Sequence, residues 1–282
     1  MPLEPVPPVD TRALFRPVSA SLVRLLRGLP LQDWQKPTIA GTWLVRDVVA
    51  HLVDLTVRRL SFHRDGMIPP PPPRPINSDR DFVAFINELN ADWVKAAQRI
   101  SATVLTKLYA VAGSDLADFF ESCPLDAPPL FPVSWAGDDG NLGWLDIGRE
   151  FTEQWHHQMQ VRDAVGARPL FDPAWLRAVL LIAVRGLPHA YRETPSAPEN
   201  SIVIEIVGDS GGTFTLEYDG RRWRILSGED IGAEQARAVM SADTAWRLLF
   251  NALTPEQREA NIEVQGNTAL LKPLFEARSV VV

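Results

Sequence analysis

Glu153 and His157 lie four residues apart, so a helix carrying both projects a carboxylate and an imidazole from one face. That pair can close on one cation. A third inward-facing donor from another helix would complete the half-open set of N and O ligands that a catalytic zinc or similar ion uses, leaving positions for water or substrate. His51 is the candidate third donor. Leu44, Val48 and Leu55 put its ring on an apolar stripe rather than among Arg46, Asp54 and Arg58, and a core-facing imidazole needs a partner. Each group also has a plainer reading: His51 as a satisfied core histidine, Glu153 and His157 as an intrahelical pair on a solvated face. Spacing alone does not choose between them. His156 lies about 100° around the helix from His157, which puts it behind the ligands or on the surface. Glu150, one turn before Glu153, can hydrogen-bond a ligand. His63 and His189 default to structural or solvated roles, and Cys123, ahead of Pro124 in a Pro-rich loop, to an inert thiol.

The elements that must position these groups are punctuated by proline, 24 of 282 residues, because the ring blocks helix interiors and strand ladders. Between the markers the apolar spacing predicts four helical segments: Asp10 to Gly28, Thr42 (as N-cap) to Gly66, Ser78 to Tyr109 with a continuation after a break at Gly113, and Trp144 to Val165 with Gly166 as its stop. A loop from Pro124 past Pro132 to Gly143 precedes the last. These read as an all-α four-helix bundle over residues 1–170. A further helix from Ala174 to about Glu193 leads through a hinge, Thr194 to Pro198, into strict alternation at Ile202, Ile204 and Ile206, then Phe214, Leu216 and Tyr218, then Trp223 and Ile225. Two more strands and two helices follow. Residues 171–282 therefore read as a smaller α+β domain with an antiparallel sheet.

Composition bounds the function. At 46% hydrophobic, 22% charged and a net charge of −7 the chain matches globular proteins and lacks the basic stripe of a nucleic-acid binder. One cysteine excludes a disulfide framework and suits a reducing compartment. No signal peptide is evident, and the most apolar run, Trp175 to Pro188, is too short to span a bilayer. A cytoplasmic protein, monomer or homodimer, is expected.

Two segments resemble a known family. The run from Thr42 to Leu52 (TWLVRDVVAHL) resembles the segment with which the DinB-like, mycothiol-dependent maleylpyruvate isomerase family supplies its first metal histidine. The run from Glu153 to Gly166 (EQWHHQMQVRDAVG) resembles its second motif, a Glu and a His four apart ahead of an Arg-Asp-Ala-x-Gly helix end. Ser241 to Thr244 and Val264 to Asn267 are similar to helix openings in the sterol-carrier-like domain of many members. The resemblance implies a divalent metal, zinc, on His51, Glu153 and His157, activating the sulfur of a low-molecular-weight thiol such as mycothiol. The thiolate would add to maleylpyruvate, allow bond rotation and leave; related members transfer the thiol to an electrophile. Members often carry an acidic residue three positions after the metal histidine, where this chain has Gln160. A basic residue of the C-terminal domain is thought to hold substrate carboxylates, and Arg221, Arg222, Arg247 and Lys272 are all open for that role.

The sequence therefore predicts a metal-dependent isomerase or S-transferase acting on a small, acidic electrophile. Two other readings stay open: a non-catalytic carrier of an apolar ligand, which needs an enclosed cavity, and a metal-dependent hydrolase.

Overall fold

The computed structural model describes residues 3–129, 142–197, 200–229 and 234–279. Pro132 and Pro198 lie outside them. The described residues divide into two compact units, a helical one within Asp10–Leu130 and Glu153–Pro169, and a sheet one within Met1–Val9, Phe131–Thr152 and Leu170–Val281.

In the helical unit, α1 (Phe15–Gly28) buries Phe15, Val18, Leu22, Val23 and Leu26, an i, i+3/4, i+7 stripe. Helix α2 (Val45–Arg59) starts three residues later than predicted. Thr42 is exposed in a turn and is not the cap; the Asp47 carboxylate instead accepts the Leu44 N–H at 3.0 Å. A π turn, Leu60–Arg64, continues α2, and Gly66 stops it at φ 70°, a left-handed conformation that glycine adopts without strain.

The predicted third segment is two helices, α3 (Asp79–Ala97) and α4 (Ala102–Ser122), so the four expected over residues 1–170 become five α-helices among the described residues. The break lies at residues 98–101, where Ser101 Oγ accepts the Val104 N–H and caps α4. Gly113 is mid-helix: a Cβ there would come 2.4 Å from Ser19 Oγ of α1, so it marks a close helix approach. Helix α5 (Gly143–Val165) is one unbroken helix whose first part belongs to the sheet unit and whose remainder, from Glu153, belongs to the helical unit. Leu22, Leu26, Trp34, Val48, Val49, Leu52, Leu105, Tyr109 and Val161 share the helical core.

The sheet unit opens with α6 (Pro173–Ala183), whose Asp172 caps the Ala174 N–H, and a short α7 (Leu187–Ala190). Six strands, β1 (Glu4–Pro5), β2 (Ser201–Val207), β3 (Gly212–Tyr218), β4 (Trp223–Ser227), β5 (Ala236–Ser241) and β6 (Ile262–Gly266), are ordered β1-β4-β3-β2-β5-β6. The expected antiparallel sheet is corrected on one pairing: β5 joins β2 in parallel, Ile204 opposite Ala238, so the sheet is mixed. The predicted hinge from Thr194 falls inside this unit, where the Thr194 carbonyl accepts the Trp223 indole N–H at 3.2 Å. Helices α8 (Ala242–Leu249), α9 (Pro255–Asn261) and α10 (Lys272–Glu276) complete it. Between the sheet and these helices, Ile204, Ile206, Met240, Leu248 and Leu274 enclose an apolar void of about 10 Å³, room for about one water and not for a carried ligand.

Candidate metal centre

Helix α2 delivers His51, 4% exposed, from the stripe that also buries Val48 and Leu52. From the second half of α5 come Glu153 and His157. The three donor atoms lie within 4.8 Å of one another. Glu153 Oε2 and His157 Nε2 stand at 3.4 Å; two ligands of a tetrahedral zinc at ~2.1 Å are separated by about that distance.

The electrostatics select the ligand-competent forms. Burial drives the His51 imidazole well below its ordinary 6.5, reinforced by His157 and then by the Arg58 charge, against the pull of Glu153. His51 is thus neutral, and its Nδ1 is buried with no hydrogen-bond partner among the described residues. Burial alone would raise the Glu153 carboxyl, but His156, the hydrogen bond from His157 and the nearby rings bring it down to about 2. Around His157, Nδ1 faces Gln160 Oε1 at 2.8 Å. An amide oxygen only accepts, so Nδ1 carries a proton toward Gln160, and Nε2 is the nitrogen that faces Glu153. Across that 3.4 Å gap the carboxylate and Nε2 can share a proton or, with the proton displaced, a cation. The donor set therefore fits a divalent ion: two imidazoles, one carboxylate and a hydrogen-bonded outer partner.

The surrounding framework holds these groups still. Trp43 lies against both imidazoles, with ring centroids 4.9 Å from His51 and 6.4 Å from His157. Tyr109 donates to Gln154 Oε1 at 2.8 Å and Gln154 donates to Thr56 at 3.3 Å, tying α5 to α4 and α2 beside Glu153. Arg162, from the Arg-Asp-Ala-x-Gly run, binds Gln158, Ser21 and the Arg168 carbonyl. Its part is to pin α5.

Other predicted residues fall elsewhere. His156 is buried at 3% rather than on the surface, its ring stacked 4.0 Å from that of His157, and Glu150 is buried one turn before Glu153; among the described residues neither joins the ligand cluster. Asp54 is not on a solvated face: it is 7% exposed and paired with Arg58 at 3.0 Å. His63 and His189 are half-buried, and Cys123 caps α4 with its thiol on the Phe119 carbonyl. The four basic residues considered for substrate occupy three elements of the sheet unit. Arg221 and Arg222 are exposed in the β3–β4 turn, Arg247 is paired with Asp243 at 2.9 Å and lies over Trp246, and Lys272 is exposed at the start of α10. Sequence reasoning passed over Trp43 and the Asp54–Arg58 pair, although the i, i+3, i+7 spacing of His51, Asp54 and Arg58 was available to find the latter.

The family described as the mycothiol maleylpyruvate isomerase N-terminal domain matches residues 15–162, more than half of the chain. Crystal structures of the mycothiol-dependent maleylpyruvate isomerase and of a histidine-to-alanine mutant of it each superpose with a TM-score of 0.55 and 11% identity, over 91% of this chain and 92% of theirs. At that identity the likeness speaks to the fold. No curated protein matches the chain in sequence.

Proposed function

The chain belongs to the mycothiol maleylpyruvate isomerase N-terminal domain family, and on that premise we propose that it is a metal-dependent enzyme using a low-molecular-weight thiol to isomerise, or to transfer sulfur to, a small acidic electrophile. The observation that carries the reading is the facing pair of Glu153 and His157 beside a neutral, buried His51. A divalent ion, zinc by ligand chemistry, supplies Lewis acidity that favours thiolate over thiol near neutral pH. The chain's own residues do the rest. His51 and His157 offer neutral nitrogen and Glu153 a single negative charge, so a dication keeps a net positive charge toward an incoming sulfur. Gln160 fixes the His157 ring through Nδ1 and so turns Nε2 toward Glu153, and Trp43 shields the imidazoles from water on one side.

The sheet unit is read as sterol-carrier-like from its capped openings at Ser241 and Asn267. No described helix is long and apolar enough to cross a membrane; a reducing cytoplasm, where small thiols persist, is the setting this chemistry requires. The test loads the full chain with zinc, measures metal by elemental analysis and follows maleylpyruvate turnover with and without mycothiol. One zinc per chain and thiol-dependent turnover are expected, both lost in His157→Ala while the circular dichroism is retained. Stoichiometric zinc without any thiol-dependent reaction would reject the enzymatic reading.

A further inference from the structure

His51, Asp54 and Arg58 share one face of α2, and the last of them is not among the three metal-facing residues. Its Cα stands roughly 10 Å along the axis from that of His51, but helical side chains lean toward the N-terminus, and this guanidinium does so. Its Nη2 meets Asp54 Oδ2, one turn back, at 3.0 Å, and the same nitrogen donates to Asn90 Oδ1 of α3 at 3.0 Å. Two acceptors on one nitrogen fix the guanidinium plane. Its Nε is buried without a hydrogen-bond partner among the described residues, while the side chain keeps 23% of its surface exposed. Other arginines of the unit are more fully engaged: Arg162 spends its donors on three partners, Arg46 spans the carbonyls of Ala97, Gln98 and Ile100 at the end of α3, and Arg64 bridges Asp65 and Asp115. Arg58 is oriented and part-exposed, and it lies two turns along α2 from the metal-facing imidazole on the same face, a placement that suits a carboxylate anchor.

We propose that Arg58 anchors a carboxylate of the substrate beside the metal centre. The helix that supplies His51 thereby also supplies an anion site. The proposal rests on the metal reading above and narrows the substrate to an electrophile that carries a carboxylate.

The probe is succinate, a saturated dicarboxylate that cannot add a thiol, titrated calorimetrically into the zinc-loaded full chain. Succinate should bind the wild type, and Arg58→Gln should weaken it about tenfold or more. Arg58→Lys keeps the charge but not the fork and should weaken it less. Zinc affinity, measured separately, should change far less than succinate binding in either. Asn90→Asp, which sets a carboxylate against the guanidinium, should mimic Arg58→Gln and carries the test if that variant does not fold. Absence of succinate binding to the wild type, or equal binding by wild type and Arg58→Gln, overturns the anchor and leaves the metal reading standing. Arg58-dependent succinate binding in a chain whose three metal-facing residues prove not to bind zinc would uphold the anchor while the metal reading fell.

Discussion

Gln160 accepts from His157 Nδ1 at 2.8 Å, and that contact decides which imidazole nitrogen faces Glu153. Replacing it with alanine removes the acceptor and frees the ring to turn or to change tautomer. Outer partners of metal histidines are worth about 10- to 100-fold in affinity, so Gln160→Ala should lose that much zinc affinity in competition with a chromogenic chelator, at nearly wild-type thermal stability. Undiminished affinity would show that the ring is held by other contacts. The protonation states make a second expectation. Buried His51 takes up a proton less readily than in the unfolded chain, where the ordinary value is 6.5, so its contribution to stability is complete above about 6.5 and is lost as pH falls below it. Glu153, at about 2 against an ordinary 4.5, adds a loss of the same sign between those values. Metal-free protein should therefore melt at progressively lower temperature from pH 7 toward pH 4, and the stabilisation by added zinc should fade over the same range as ligands protonate. A melting temperature that holds level or rises toward acid pH contradicts the assignment. The pairing of Glu153 with His157 was legible because helical periodicity puts i and i+4 on one face, and the inward turn of His51 from its apolar stripe; Gln160's contact depends on a rotamer, and the burial of Asp54 on its partner Arg58, neither of which spacing encodes.

Helix α2 carries both His51 and Arg58, so its start sets the register of the site. Thr42 has the chemistry of an N-cap and was the natural choice from sequence, yet Pro37 and Leu44 form a bridge and the Val45 N–H returns to the Lys36 carbonyl, which keeps the chain extended as far as Leu44. The capping falls to Asp47, whose other oxygen accepts from Gln98 Nε2 at 2.7 Å. Asp47→Ala would leave the Leu44 N–H and the Gln98 amide without that acceptor, at a cost of about 1–3 kcal/mol, whereas Thr42→Ala should stay within about 0.5 kcal/mol, as surface changes do. Urea denaturation of the two variants checks this, and equal costs would return the cap to Thr42. The junction of α3 and α4 was hard to see for a similar reason. The apolar stripe runs on from Trp93 to Leu105 and Tyr109, so only Ser101 marked the stop, while the glycine that looked like a break, Gly113, sits where α1 comes closest to α4.

At the scale of the whole chain, periodicity identified the strands but not their order. Alternation in Ile202, Ile204 and Ile206 fixes which face is buried, and it is silent on whether the next neighbour of β2 runs parallel; the β2–β5 pairing depends on the crossover after β4. The two-residue β1 at the N-terminus, paired with Ser227 and Leu226 of β4, is too short to register as a pattern. These features bear on how the protein can be dissected. A cut at residue 170 looks natural from sequence, yet it severs β1 from β4 and strips the first part of α5 of its neighbours: Leu145 packs on Ile182, and Gly148 is so close to Ile182 that a Cβ there would sit 2.5 Å from its side chain. Leu145 and Ile147 are at most 3% exposed in the full chain; uncovering such side chains costs about 1.5–3 kcal/mol each, a large part of the margin of a domain. Because α5 is a single helix, fraying of its first turns propagates toward Glu153 and His157. A fragment of residues 1–170 should therefore show less helix than its share of the full-length spectrum, tend to self-associate, and bind zinc more weakly than the full chain. Sedimentation, far-UV circular dichroism and a zinc titration of the fragment check all three, and a monomeric fragment that melts cooperatively with full-length zinc affinity would show that the helical unit stands alone.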